Sequence, residues 1–198
     1  DKLQVAWTFR TGDIPQSNGS GAEDQNTPLQ IGDKLFVCTA YSKVIALNVD
    51  DGKKLWSYDS NSTAPNWQRC RGLGYYENSS VNGAAPQAPA AQPAATPATE
   101  PATPNAASEA AAPATNAPQT PAATGGTVSA TCERRLFLPT IDARLIAINA
   151  DTGKPCADFG DNGVVDLKVG MGEVKPGYYQ QTSTPLVAGN VVVVGGRV

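Results

Sequence analysis

Apolar residues in this chain come in short runs of four or five, each closed by a turn signal. Leu35-Phe36-Val37-Cys38-Thr39 lies between Gly32-Asp33 and Ser42-Lys43, and Val44-Ile45-Ala46-Leu47 follows. After Asp50-Asp51-Gly52-Lys53 comes Leu55-Trp56-Ser57-Tyr58. Short runs rich in β-branched and aromatic residues, separated by Asp-Gly turns, predict hairpins, because Gly supplies the positive φ of tight turns. The same wording returns 101 residues later: Leu136-Phe137-Leu138-Pro139-Thr140 answers the first run, Ile146-Ala147-Ile148-Asn149 answers Ile45-Ala46-Leu47-Asn48, and Gly153-Lys154 answers Gly52-Lys53. A third echo relates Asn26-Thr27-Pro28-Leu29 with Gly32 to Ser183-Thr184-Pro185-Leu186 with Gly189. No stretch carries the 3.6-residue period of a useful amphipathic helix.

Between the copies the pattern stops. Residues 84–124 contain 18 Ala and 9 Pro, and residues 82–130 hold no Lys or Arg. Such a segment has too few large apolar groups to offset chain entropy, and its prolines interrupt any helix, so it is expected to be disordered. A long loop of this kind costs the fold little, since closure entropy grows logarithmically with length. Subtracting an insert of about 45 residues leaves a repeat of about 55, in the range of propeller blades. The reading is all-β: a partial β-propeller of about two blades, with residues 1–81 as the first blade region, 82–130 as the insert and 131–198 as a truncated second region. A β-sandwich with one long insertion is the alternative. Since a propeller needs at least four blades to close, these residues are expected to be part of something longer.

The chain has 198 residues, 40% hydrophobic and 17% charged, with a net charge of −3 and no histidine. That excludes a Ser-His-Asp or Cys-His centre, a His-ligated metal and imidazole acid–base work. Nucleic acid is not an expected partner, for the slight net acidity gives no electrostatic footprint for it. No apolar run approaches the roughly 20 residues that span a bilayer. Cys38, Cys70, Cys132 and Cys156 form no C-x-x-C pair, which argues against zinc and leaves one or two disulfides, or four buried thiols, open.

Several segments carry a resemblance. Trp7-Thr8-Phe9-Arg10-Thr11-Gly12-Asp13, Asn26-Thr27-Pro28-Leu29 and Asp51-Gly52-Lys53-Lys54-Leu55-Trp56 resemble the opening of a pyrroloquinoline-quinone (PQQ) dehydrogenase. Cys70-Arg71-Gly72 and the stretch from Arg134 to Ala150 extend the likeness. Within that superfamily it is similar to the membrane-bound branch that includes glucose and quinate/shikimate dehydrogenases. The resemblance implies an eight-bladed quinoprotein propeller holding PQQ and a Ca²⁺ or Mg²⁺ ion. It also implies oxidation of a polyol or hydroxy acid in the periplasm, electron transfer to ubiquinone and an N-terminal membrane anchor outside these residues. The family's catalytic Asp and PQQ-facing Lys fall in later blades, so these two blades are expected not to catalyse alone, and no metal ligand is assigned here. A non-enzymatic propeller scaffold with similar repeats is the rival from another class; it would not need Cys70-Arg71-Gly72.

By the same resemblance, Arg71 is expected to bind a PQQ carboxylate or quinone oxygen. Gln25 stands where relatives often carry a pocket Glu. Thr140 ends an apolar strand at the expected rim, and Gly196 and Arg197, with Gly195, lie where backbone approaches the cofactor plane. Arg69 replaces the expected histidine neighbourhood before Cys-Arg-Gly and suits a carboxylated substrate such as quinate or shikimate, since a guanidinium offers a forked donor pair. Glucose or another polyol is the alternative substrate. Arg10 and Asp13 are expected at the mouth of the site, and Trp7 and Trp56 at the contacts that lock blades together. A disulfide between Cys70 and Cys132 is expected to close the insert, leaving Cys38 and Cys156 as thiols.

Overall fold

In the computed structural model, residues 2–14, 21–65, 68–78 and 132–197 are described. The expected disorder of 82–130 falls outside them. Two four-stranded antiparallel sheets carry the fold. The first is β2 (Leu29–Ile31), β3 (Lys34–Cys38), β4 (Lys43–Asn48) and β5 (Lys54–Asp59), adjacent in sequence order. The second, likewise, is β7 (Gly74–Glu77), β8 (Arg134–Pro139), β9 (Arg144–Asn149) and β10 (Val164–Asp166). A hairpin of β12 (Leu186–Ala188) and β13 (Val191–Val193) begins a third unit. Two short pairs complete the set: β1 (Ala22–Asp24) runs parallel to β6 (Gln68–Cys70), and β11 (Gln180–Gln181) antiparallel to β14 (Gly196–Arg197).

The 101-residue repeat is a repeat of turn geometry. Ser42 and Ala143 take positive φ, 57° and 64°, at equivalent places in the β3–β4 and β8–β9 turns. Gly52 and Gly153 do so after β4 and β9, at 69° and 72°. The sheets stack face to face. Phe36, Val44 and Ala46 of the first sheet form one core with Leu136, Leu138, Ile146 and Ile148 of the second. Phe137, Leu145 and Ala147 point the other way, onto Val187 and Val192 of the third hairpin. Cover on both faces explains why the strands read as unbroken apolar runs instead of alternating ones.

Indoles fasten successive units, as the aromatic positions lead one to expect. Trp7 Nε1 donates to the Val49 carbonyl at 2.9 Å, and Trp56 Nε1 donates to that of Ala150 at 3.2 Å. Each ring covers a turn glycine: a Cβ added to Gly52 would lie 2.5 Å from the Trp7 ring.

Two expectations are corrected. The division at residue 81 misplaces β7, which precedes that boundary in sequence but is the edge strand of the second sheet. Glu77 and Arg134, on either side of the insert, are therefore paired neighbours in one sheet. The expected Cys70–Cys132 bridge is also wrong, as are the free thiols. Cys38 bonds Cys70 and Cys132 bonds Cys156, with Cα separations of 6.0 and 5.6 Å, within the bridgeable range. The reason lies in the second sheet: Cys38 and Cys70 belong to the core on one of its faces, Cys132 and Cys156 to the core on the other.

Candidate active site

The parallel β1–β6 pair aligns Glu23 with Arg69 and Asp24 with Cys70. Alternation along a strand then places Glu23 and Gln25 on one face, beside Arg69 and Arg71. The four side chains form a ladder. Glu23 Oε2 stands 3.5 Å from Arg69 Nη1 and accepts from Gln25 Nε2 at 2.7 Å. Gln25 Oε1 accepts from Arg71 Nε at 2.9 Å. Arg71 Nη1 then donates to Thr182 Oγ1 at 3.2 Å. The backbone fixes this end as well: Arg71 N donates to Thr182 O and Thr27 N to Arg71 O.

Behind Thr182 the packing is tight. Gln181 is fully buried, and neither amide atom finds a partner among the described residues. Its strand partner is Gly196, where an added Cβ would lie 2.5 Å from Gln181 Nε2 and 2.5 Å from the Tyr179 ring. Arg71 and Gln25 are thus brought together with Thr182, while Gly196 packs on Gln181 and Tyr179. The Cys38–Cys70 disulfide anchors Arg71 and Gln25, since Cys70 precedes Arg71 and Cys38 N donates to Asn26 Oδ1, next to Gln25.

Against known proteins, the glucose/ethanol/alcohol dehydrogenase β-propeller family, described as PQQ, matches residues 1–198. The chain is 42% identical over its whole length to a quinate/shikimate dehydrogenase (quinone) of Acinetobacter baylyi, covering 21% of that protein. It is 47% identical over 94% of its length to a probable quinate dehydrogenase (quinone) of Xanthomonas campestris, covering 20%. The chain belongs to the PQQ-dependent dehydrogenase propeller family. It spans about a fifth of the length of these relatives. Among solved structures, a europium-containing methanol dehydrogenase matches 98% of the chain and 22% of its own with a TM-score of 0.50 at 18% identity, a likeness of fold. The partial-propeller architecture read from the repeat is therefore the family's own.

PQQ is a tricarboxylate, and the ladder end of this propeller fits one. An exposed guanidinium, an amide and a hydroxyl converge at Arg71, Gln25 and Thr182, charge-assisted donors of the kind carboxylates take. Thr182 was not singled out from sequence; its only signal was its place just before the Ser183-Thr184-Pro185-Leu186 echo.

The other expected residues lie elsewhere. Thr140 is buried in the β8–β9 turn, where its hydroxyl donates to Asp142 Oδ1 and accepts from Arg144 N. Arg197 is exposed on β14. Asp13 holds Lys43 Nζ at 2.6 Å, and the Asp13 bond raises the Lys43 pKa against the opposing effect of burial. Arg10 shares a cavity of about 470 Å³ with Lys43 and Asp59. Asp13 also lines a cleft with Asp24 and Asn26, on the side of β1 away from Glu23. Cys132, Cys156 and Asp158 are the one trio of metal-ligating types among the described residues, and the disulfide takes both sulfurs.

Proposed function

We propose that the protein carrying this chain is a PQQ-dependent dehydrogenase that oxidises quinate or shikimate and passes the electrons to ubiquinone. One observation supports the substrate class: beside the Arg71 guanidinium assigned to PQQ stands a second one, Arg69, whose pairing with Glu23 is a long 3.5 Å contact that an incoming carboxylate can replace. Arg71, Gln25 and Thr182 hold one carboxylate of PQQ, and Arg69 orients the carboxylate of the substrate. When bound, PQQ supplies an electrophilic ortho-quinone that takes the alcohol's hydride, with a Ca²⁺ or Mg²⁺ ion polarising it. The base that removes the hydroxyl proton comes from a later blade. Two disulfides suit an oxidising compartment, which supports the periplasmic side of the inner membrane.

Purified intact protein, given PQQ and Ca²⁺, is expected to reduce a quinone dye with quinate faster than with glucose. Reduction with glucose alone would favour the glucose branch of the family.

A further inference from the structure

Glu23 belongs to neither expected contact, yet it joins them. Its Oε2 is shared between Arg69 Nη1 and Gln25 Nε2, and Gln25 in turn holds Arg71. The Arg69 contact is long for a hydrogen bond, and Arg69 Nε is buried without a partner among the described residues. The guanidinium is thus loosely paired, its charge shared with one carboxylate at 3.5 Å. A substrate carboxylate arriving at Arg69 meets a carboxylate already there, and like charges this close oppose one another.

We propose that Glu23 is a specificity-determining residue, an internal carboxylate that competes with the substrate's carboxylate for Arg69 and so sets how strongly carboxylated polyols are preferred over neutral ones. The proposal rests on the reading of Arg69 as the substrate-carboxylate site. It follows that removing the charge of Glu23 while keeping its hydrogen bond strengthens carboxylate binding. E23Q does this, because the amide oxygen still accepts from Gln25. R69Q does the opposite. A neutral polyol has no charge for Arg69 to read, so both changes move quinate by more than they move the neutral polyol, and the ratio of the two is the readout.

The test combines steady-state kinetics of the holoenzyme on quinate and on a neutral polyol with calorimetric titration of quinate into the apoprotein, which does not depend on turnover. E23Q is expected to lower KM and Kd for quinate about three- to tenfold, and to lower quinate's KM relative to the neutral polyol's. R69Q is expected to raise both quinate constants, and in the double variant the effect of E23Q should vanish. A PQQ titration of E23Q separates the two sites: a PQQ affinity that shifts as much as quinate's would make the effect one of the whole ladder and overturn the proposal. Quinate constants equal to wild type in E23Q, or raised as in R69Q, would overturn the proposal, the second by making Glu23 a support for Arg69. If wild type neither binds nor oxidises quinate, the reading of Arg69 fails and takes this proposal with it, an outcome distinct from the other two.

Discussion

Trp56 and Gly153 meet face to backbone: a Cβ on Gly153 would lie 2.6 Å from the indole ring, while Nε1 of the same indole donates to Ala150 O. The glycine therefore serves twice, by its φ of 72° and by the space it leaves. G153A should destabilise the intact protein by more than the roughly 1–2 kcal/mol of left-handed strain alone. G32A is the control. Gly32 has a φ of 57° but nothing within 4 Å of an added Cβ, so only the backbone term applies. Thermal melts of both variants check this, and equal losses would show that the indole contact is not tight.

Breaking the Cys38–Cys70 bridge should cost stability and cofactor affinity together. A sequence separation of 32 gives about 3–4 kcal/mol on the chain-entropy model. The C38A/C70A double variant should also bind PQQ more weakly, because the bridge ties the segment bearing Arg71 to β3. Melting curves and a PQQ titration measure the two effects separately. A stability loss with unchanged PQQ affinity would confine the bridge to a structural role.

The Lys43–Asp13 bond predicts an alkaline limit. Its hydrogen bond to Asp13 raises the Lys43 pKa above the ordinary 10.5, outweighing desolvation. A raised folded-state pKa stabilises fully below the unfolded value and loses that contribution as pH rises through the folded one. The melting-temperature gap between wild type and D13N should hold steady from neutral pH to about 10 and shrink above it. A gap that widens above pH 10.5 would contradict the assignment.

Sheets built from neighbouring strands were legible because most of their turns are local: Asp51-Gly52 announces the β4–β5 hairpin, and the 101-residue echo marks the repeat. The parallel β1–β6 pair was not. It joins residues 22–24 to 68–70, and nothing in either short segment codes for the other. That is why Glu23 stayed unseen while Arg71 and Gln25, read from family motifs, proved to be bonded partners. Disulfide pairing was illegible for a related reason. It depends on which face of the second sheet each cysteine reaches, and Cys70 and Cys132 reach opposite ones. Thr140 looked like a rim hydroxyl because it ends an apolar run, but a threonine there also closes the hairpin turn, as Thr39 does in the first sheet.

Equilibrium titration of the intact apoprotein with PQQ tests the central claim most directly, with R71A compared to wild type. A charge-assisted bond contributes about 1.5–3 kcal/mol, so the account predicts a Kd raised about 10- to 100-fold in R71A, with R71K between the two. A Kd for R71A equal to that of wild type would contradict it.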